Sequence, residues 1–394
     1  MVLAKYKSTQ SKLGVLFLFL LVVGLLVCSN SLQTHSVTNP ENSSNEEFAF
    51  TEIGQWIAEE GVYALDVTID GDIAYVCTGD YVAILDVSDP TEPSLLGKFN
   101  QFGSYLGEIP WPEQIITYGD YIFVLAYWHD YSYCWTNKIM VLDVSNPANP
   151  LLVQEFNIQR LIYDICLVDN FLYVASSGDF RIYNVELANA PYLIGNFSAD
   201  NFFPGAIGIH GSYAFLGSHA NGYLVLDISS PTNPFMVKNC TDFSITRIHF
   251  EESIAYTLTR PALYGSAGRN FIVFNLTDSY DLEEINRLYV SEENWDFIFS
   301  DGYIYMKTCS SDFRVLNASN LNHLEFVYQS SEEELDAQGF SIVGNDFYLA
   351  AGAEGLLIYE VNYPPITITL NQSAFLIFIV GVFACGIFLK RKRR

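Results

Sequence analysis

The sequence predicts an all-β fold built from seven similar units, and three observations support this prediction. A phrase close to Leu-Asp-Val-Ser recurs roughly every 42 residues, a spacing typical of repeat architectures. Each unit shows the pattern of four short strands separated by turn residues, as in one blade of a propeller. The last unit supplies only three strands, whereas a further strand-like segment precedes the first unit. Together they predict a seven-bladed β-propeller of four-stranded antiparallel blades.

The repeated phrase defines the units along the chain. It is clearest at residues 84–90, 141–147 and 225–231, and weaker copies centre on Asn184, Asn275, Asn317 and Glu360. In the first unit, residues 64–69 alternate in hydropathy, residues 73–77 are apolar, and the phrase itself follows. Residues 94–99 then follow a turn bracketed by prolines, and this order of features indicates one blade.

The segment at residues 50–56 is similar in position and pattern to residues 94–99, the outermost strand of the first unit. We therefore expect the N-terminal strand to complete the last blade. This closure removes an open sheet edge, which is the usual liability of β architecture. A β-helix or a sandwich does not explain a leading fourth strand together with a trailing set of three.

The phrase Val-Ala-Ile-Leu-Asp-Val-Ser-Asp-Pro at residues 82–90, with Asp-Ile-Ala-Tyr-Val at residues 72–76, resembles the LVIVD repeat family. The resemblance covers residues 50–364 and is strongest in the first, second and fourth units. Elsewhere the aspartate is replaced or the Ser-x-Pro is lost. Members of that family are β-propeller modules of exported prokaryotic proteins. The resemblance therefore implies the fold and a surface location, and it implies no catalytic motif.

Two apolar runs frame the repeats and predict the membrane topology. Lys5, Lys7 and Lys12 precede an apolar run, as in an export signal or an uncleaved signal anchor. A charge-free run near the C-terminus is followed only by basic residues, which favours a membrane helix with a cytoplasmic tail; a sortase-type sorting signal is a minor alternative. The predicted segments are the signal at 1–29, a polar linker at 30–46, the propeller at 47–364, a spacer at 365–372, a transmembrane helix at 373–389 and a basic tail at 390–394.

This topology predicts a plasma-membrane protein with its propeller outside the cell. It crosses the membrane once, or twice if the signal is not cleaved. The chain has 19 lysine and arginine residues against 45 acidic ones, a net charge of −26. Eight of the basic residues lie at the two ends, so the segment between them carries 11 basic against 45 acidic residues, a net charge of −34. Such a polyanion repels nucleic acid, which excludes that class of partner.

Asn-x-Ser/Thr sequons in the exported segment predict a glycosylated surface protein. They lie at Asn42, Asn196, Asn239, Asn275, Asn317 and Asn371. Asn371 is too close to the predicted membrane helix to be a good acceptor, so we expect modification at the other five.

The longest insertions are predicted to lie at one end of the propeller. Unit two is extended at residues 101–111 and 127–138, and unit five at residues 260–270. Connections between blades and between second and third strands emerge at the same end, where long loops on a rigid scaffold carry binding sites. Aromatic and arginine side chains suit protein or carbohydrate ligands; alternatively, the rings pack each loop against its own blade. The candidate binding residues are Trp111, Tyr127, Trp128, His129, Tyr131, Tyr133, Trp135, Arg260, Tyr264 and Arg269.

The first strand of each unit is also predicted to bring one residue to the mouth of the central channel. These residues are Asp66, Gln114, Asp164, Ala206, Arg247, Asp296 and Gly339. The three carboxylates Asp66, Asp164 and Asp296 could hold calcium, which prefers oxygen ligands. The simpler interpretation is that polar residues solvate a water-filled channel and that Arg247 offsets the acids, so no metal and no other cofactor is predicted.

The sequence favours a binding function over chemistry. It contains no Gly-x-Ser-x-Gly elbow and no His-Glu-x-x-His spacing. We therefore expect a membrane-anchored cell-surface propeller that binds or adheres to an extracellular protein or glycan. Two alternatives stay open: an extracellular glycan hydrolase or lyase that uses the same face, and a structural component of the cell surface.

Overall fold

The structure is a computed structural model, and it describes residues 48–101, 111–129, 135–156, 158, 160–199, 202–218, 221–261, 269–277, 280–290, 294–308, 313–330 and 336–364. Within these residues, twenty-eight strands form seven four-stranded antiparallel sheets. The predicted signal, linker, spacer, membrane helix and basic tail lie outside the described residues. In the part of the chain that is described, no helix is long and apolar enough to cross a membrane.

The first three blades follow one another along the chain. Blade one consists of β2–β5: Ala64–Asp70, Ile73–Thr78, Val82–Asp86 and Ser94–Phe99. Blade two consists of β6–β9: Trp111–Tyr118, Tyr121–His129, Trp135–Asp143 and Leu151–Phe156. Blade three consists of β10–β13: Ile162–Val168, Phe171–Ser176, Asp179–Asn184 and Tyr192–Ser198.

The next three blades repeat this order, and the last blade completes the ring. Blade four consists of β14–β17: Pro204–His210, Tyr213–Ser218, Tyr223–Asp227 and Phe235–Cys240. Blade five consists of β18–β21: Phe243–Glu251, Ile254–Pro261, Arg269–Thr277 and Asp281–Val290. Blade six consists of β22–β25: Asn294–Ser300, Tyr303–Thr308, Phe313–Asn317 and Glu325–Gln329. Blade seven consists of β26–β28 and β1: Gly339–Val343, Asp346–Ala350, Leu356–Asn362 and Ala49–Trp56.

The N-terminal strand closes the ring, as the sequence predicted. β1 pairs antiparallel with β28 from Ala49 opposite Asn362 to Trp56 opposite Leu356. The last blade therefore contains three strands from the end of the propeller and one from its beginning. Because the closing strand is paired, the third strand of blade seven has no open edge.

The two ends of the propeller differ in the connections they carry. First strands of neighbouring blades contact one another, as β2 contacts both β6 and β26, so these strands line the centre. We call the end that carries the turns between first and second strands, and between third and fourth strands, the lower end. The upper end carries the turns between second and third strands and the connections between blades.

The core lies between neighbouring sheets. Val82 and Ile84 of β4 pack with Ile122 and Val124 of β7, and all four side chains are fully buried. Equivalent apolar clusters separate other pairs of blades. Third strands such as Val82–Asp86 and Tyr223–Asp227 are buried on both faces, so they are continuously apolar up to the final aspartate rather than alternating.

The repeated Asp-Val-Ser phrase is a structural turn at the lower end. Asp86 Oδ1 accepts hydrogen bonds from the backbone N–H of Ser88 at 2.9 Å and from its hydroxyl at 2.6 Å. Asp143 and Asp227 hold Ser145 and Ser229 in the same way. These bonds form an Asx turn that ends the third strand. The phrase therefore recurs in blades one, two and four for a structural reason, whereas β20 and β28 continue past the equivalent position.

Candidate binding face

One long hairpin projects from the upper end. In blade two, β7 and β8 stay paired as far as His129 opposite Trp135. β7 has nine residues, whereas the second strand of blade one has six. Three additional residues extend the hairpin by roughly 10 Å, at about 3.3 Å per residue. In blade five, β19 and β20 have eight and nine residues, but they pair only from Ile254 opposite Asn275 to Thr259 opposite Asn270, as far as the equivalent strands of blade three do.

The base of the blade-two hairpin is fixed to blade three. The buried Asn137 side chain donates from Nδ2 to the Ile162 carbonyl at 2.9 Å and accepts from the Ile162 N–H at 3.1 Å. The Tyr127 hydroxyl donates to the same carbonyl at 2.9 Å. These bonds satisfy the backbone of Ile162 where the chain enters β10. The hairpin therefore leaves the propeller from a fixed base.

The structure brings several of the predicted binding residues together through strand pairing. Trp111 begins β6 directly opposite Tyr127 of β7. The backbones of Trp128, His129 and Trp135 lie in the projecting part of the hairpin. Tyr131, Tyr133 and Tyr264 lie outside the described residues.

The two predicted arginines of blade five occupy different environments. Arg260 is half-buried near the upper end of β19, opposite Ser244. Arg269 is buried at the start of β20, with 3% of its surface exposed. We expected both arginines to be available to a ligand, and burial removes Arg269 from that set. The difference arises because Arg269 belongs to the paired strand, opposite Val290, rather than to the loop.

A cluster of charged residues beside the hairpin was not predicted. The buried Asp179 carboxylate pairs with Arg181 at 2.9 Å and with Arg160 at 3.4 Å. Arg160 lies in the connection from blade two to blade three, and half of its side chain is exposed. The sequence signal was weak because Arg160 and Asp179 belong to different elements. The cluster offers one half-exposed arginine side chain in the connection that leads from blade two to blade three.

The predicted channel residues form a ring that β-bulges position. In six blades the first strand has one unpaired residue near the upper end, where its pairing with the second strand is interrupted by a bulge. The channel residue directly follows this unpaired residue, and the six channel residues are Asp66, Gln114, Asp164, Ala206, Arg247 and Asp296. Such a bulge bends a strand and redirects its side chains. In the seventh blade β26 begins at Gly339 without a bulge. A Cβ there would overlap Asp66, so the ring closes against this glycine.

The ring side chains connect each blade to the next. Asp66 Oδ2 accepts from the N–H of Ile115 at 3.4 Å, and Asp164 Oδ2 accepts from the N–H of Ile207 at 2.8 Å. Gln114 donates to the Ile165 carbonyl at 3.3 Å. In each case the partner directly follows the channel residue of the neighbouring blade.

Basic residues complete the ring on the other side of the channel. Arg247 pairs with Asp296 of the next blade at 3.1 Å and donates to the Gly205 carbonyl of the preceding blade at 3.2 Å. Lys307 of blade six donates to the Gln338 carbonyl of blade seven. Lys307 was not predicted, because it lies on a second strand rather than a first strand.

Two ring carboxyl groups have raised pKa values. Burial raises the pKa of Asp66 to about 7, although its hydrogen bonds and the positive charge of Lys307 oppose the rise. Burial also raises the pKa of Asp164 to about 6, against the nearby charge of Arg247. Near neutral pH, protonation of these groups therefore changes the charge at the channel mouth.

The ring geometry does not favour the calcium hypothesis. Asp66 and Asp164 accept separate backbone N–H groups, and Asp296 pairs with Arg247. In the part of the chain that the structure describes, no three His, Cys, Asp or Glu side chains are grouped to hold a metal ion. The ring is a set of contacts between blades rather than a converging set of oxygen ligands.

The predicted glycosylation sites differ in accessibility. Asn196 and Asn239 are exposed on the outermost strands β13 and β17. Asn275 and Asn317 are half-buried on third strands, and Asn317 Oδ1 accepts two hydrogen bonds from Ser319 of its own sequon. Asn42 and Asn371 lie outside the described residues. The exposed pair is the better placed for modification.

Comparisons with known proteins support the fold. No curated protein matches the chain. A computationally designed protein, Ika8, aligns with a TM-score of 0.52 at 9% identity, covering 78% of this chain and 99% of its own. BamB from Moraxella catarrhalis aligns with a TM-score of 0.52 at 9% identity, and the alignment covers 79% of this chain and 100% of BamB. A chain of the Mitotic Checkpoint Complex aligns with a TM-score of 0.56 at 12% identity, and the alignment covers 84% of this chain and 97% of that one. At such low identity these likenesses concern the fold alone.

The repeat resemblance is confirmed at the level of sequence. The LVIVD repeat model matches residues 61–101, 113–158 and 205–242. These three segments correspond to blades one, two and four, the units in which the Asp-Val-Ser phrase is most complete. The chain therefore contains LVIVD repeats, built into a seven-bladed β-propeller.

Proposed function

We propose that the protein is a membrane-anchored cell-surface binding module that holds a protein or carbohydrate ligand at its upper end. The observation that carries this proposal is the long aromatic hairpin of blade two, which leaves the propeller from a base bonded to Ile162. A hairpin fixed in this way loses little conformational entropy when a ligand binds, and such pre-organisation favours affinity.

The residues around this hairpin support a polar ligand with flat apolar faces. The projecting strands include Trp128 and Trp135 in their sequence, and aromatic residues suit such a ligand because they give a large contact area with few rotatable bonds. Arg160, half exposed in the next connection, adds a guanidinium for a carboxylate, sulfate or other anionic group. A glycan with acidic sugars and a protein loop both offer this combination.

The location of the module is proposed from the sequence. The apolar run at residues 373–389 and the basic residues at 390–394 favour a membrane helix with a cytoplasmic tail. The N-terminal run favours export, so the propeller is placed outside the cell. Sequons at exposed positions such as Asn196 agree with this placement.

The proposal is tested by screening the full-length protein against arrays of glycans and extracellular proteins. Removal of residues 129–135 should abolish capture of any ligand found and leave the thermal unfolding midpoint unchanged. A matched variant that shortens the blade-five loop, residues 262–268, shows whether the two loops contribute separately. If capture persists without the blade-two tip, the upper-face proposal is wrong. If the deletion lowers the midpoint substantially, the hairpin serves packing instead.

A glycan hydrolase or lyase is the second candidate, and one observation favours it. The carboxyl groups of Asp66 and Asp164 have raised pKa values at the channel mouth, and perturbed carboxyl groups are common in active sites. Turnover of any glycan on the array, lost in Asp164→Asn, would support catalysis. Binding without turnover would leave the binding module as the function.

A further inference from the structure

Large apolar side chains are exposed at the start of the outermost strand in consecutive blades. Leu151, Tyr192 and Phe235 occupy the same position, because each lies opposite the Asp or Asn that ends the third strand of its blade. Their side chains are 54%, 58% and 51% exposed. The next position holds the exposed apolar residues Leu95, Leu193 and Met236 in blades one, three and four. We call these six residues the lower rim.

The fold does not require apolar residues at these positions. Blade five has Glu283 and Glu284 there, blade six has Glu325 at the first position before the exposed Phe326, and β1 has Glu52 at the second. Exposed apolar residues therefore recur at these positions in blades one to four, whereas blade six has one, Phe326, and acidic residues interrupt the positions in blades five and seven. Large exposed apolar side chains that recur at one rim mark an interaction surface more often than scattered single ones do.

The turns beside the lower rim are acidic. Asp72, Asp120 and Asp169 lie in the turns between first and second strands, and Asp86, Asp143 and Asp227 end the third strands. Within the described residues, none of the lower turns contains a lysine or an arginine. The charged residues that offset these acids, such as Arg160 and Arg247, lie at the upper end.

This combination of charge and apolar surface selects among possible occupants. Two copies of the rim would bring like charges together, which opposes self-association. A lipid surface would have to dehydrate the aspartates, and anionic head groups would be repelled. A polypeptide segment with alternating basic and apolar side chains meets both features, because its cations face the aspartates while its apolar residues cover the rim.

We propose that the lower rim docks a basic, amphipathic polypeptide partner. The surface lies at the opposite end from the blade-two hairpin, so this docking does not depend on the ligand proposed there. A propeller with one ligand at each end would connect the two partners. The aspartates steer the partner to the rim, and burial of the apolar side chains holds it.

The test uses the full-length protein in phosphatidylcholine nanodiscs and a fluorescent peptide of alternating lysine and leucine, with empty nanodiscs as the blank. We expect saturable binding in fluorescence anisotropy that weakens when salt rises from about 50 to about 300 mM. A peptide of alternating glutamate and leucine should bind at least about tenfold more weakly, a difference of about 1.4 kcal/mol. Equal binding of the two peptides would overturn the proposal.

Variants assign the binding to the rim. The double variant Leu151→Ser with Phe235→Ser should lower the affinity for the lysine–leucine peptide by about tenfold or more. The double variant Asp143→Asn with Asp227→Asn should lower the affinity for the same peptide and reduce its salt dependence. The turn should be kept, because Asn317 already makes the same bonds to Ser319. Ile57→Ser with Tyr289→Ser removes exposed apolar residues elsewhere and should leave the affinity unchanged.

Three further results would contradict the proposal. The first is an unchanged affinity in both the apolar and the aspartate variants. The second is rim-dependent binding to phosphatidylcholine vesicles instead of the peptide, which would identify a lipid surface. The third is a rim-dependent dimer in light scattering, which would identify a second copy as the occupant. Loss of the upper-face ligand would not affect any of these readouts.

Discussion

Gly97 of β5 lies against the carbonyl oxygen of Pro147, in the turn that follows the third strand of the next blade. A Cβ at Gly97 would overlap that oxygen and would be 2.9 Å from the Cα of Ala148. Gly54 and Gly195 are packed in the same way against the proline turns of their own neighbouring blades. The proline turn of one blade thus fits where the outer strand of the preceding blade has no side chain.

Blades without this proline use polar contacts at the corresponding place. Asn286 of β21 donates to the Leu321 carbonyl of the next blade at 3.0 Å. Lys238 of β17 pairs with Asp281 of the next blade at 2.6 Å. Pairing places Gly97, Lys238 and Asn286 at one position of the outermost strand. This position therefore sets the contact between neighbouring blades.

Gly97→Ala should destabilise the propeller, because the added methyl group forces the proline turn of blade two outward. Overpacking at such a site costs about 1–3 kcal/mol. The urea midpoint of the full-length protein should fall accordingly. Gly79→Ala is the matched control, since a Cβ there meets no atom within 4 Å. Equal midpoints for the two variants would show that the contact is not tight.

The channel ring predicts a pH dependence of stability. Folding raises the pKa of Asp66 to about 7 and that of Asp164 to about 6, so between pH 4 and 7 the folded state binds more protons than the unfolded state. The contribution of these groups to stability is therefore largest at low pH and is lost as the pH rises through these values.

Asp66→Asn should remove part of this dependence, because the amide keeps an acceptor for the Ile115 N–H without a titrating group. The change in unfolding free energy between pH 5 and pH 8 should shrink by on the order of 1 kcal/mol, since the partial exposure of Asp66 weakens the effect. Urea midpoints of both proteins at the two pH values give the result. If the unfolding free energy changes by the same amount between the two pH values in the variant, Asp66 does not contribute to the pH dependence.

The sequence was sufficient to predict features that repeat within one unit. Strand Ser94–Phe99 matches the predicted residues 94–99, and β1 begins one residue before its predicted start at residue 50. The repeated phrase and the alternation of hydropathy belong to single blades, so they are visible along the chain. The ring position was also predictable, since the same site recurs in each first strand.

Contacts between blades were not predictable, because they join residues that no local pattern relates. Gly97 and Pro147 belong to different units, and so do Lys307 and Gln338. The burial of Arg269 follows from where β20 begins, and strand ends are set by pairing rather than by composition. The apolar lower rim became visible only once strand register aligned the outermost strands.

The base of the blade-two hairpin gives a further prediction. Asn137→Ala removes two hydrogen bonds with Ile162, one of which satisfies a buried N–H, so we expect a loss of about 1–3 kcal/mol in the free energy of unfolding. Hydrogen exchange in residues 127–137 should also accelerate. Tyr127→Phe removes only one of two donors to the Ile162 carbonyl and should have a smaller effect. If the hairpin exchanges equally in both variants, Asn137 does not anchor it.

Closure of the ring depends on Phe50 in the N-terminal strand. Its ring lies 5.0 Å from that of Phe313, 4.7 Å from that of Tyr328 and 5.0 Å from that of Phe347, measured between centroids. Phe313 and Tyr328 belong to blade six, so this side chain joins the closing strand to the preceding blade as well as to its own.

Phe50→Ala should therefore lower stability by about 2–4 kcal/mol, somewhat less than for a fully buried phenylalanine because Phe50 is half-buried. The closing strand should also become the first site of cleavage in limited proteolysis, because an unpaired N-terminal strand exposes its backbone. Tyr289→Ala removes an exposed aromatic ring and serves as the control, with little expected change. Cleavage that still begins in other segments would show that the ring stays closed without Phe50, and that pairing of Ala49–Trp56 with β28 is sufficient.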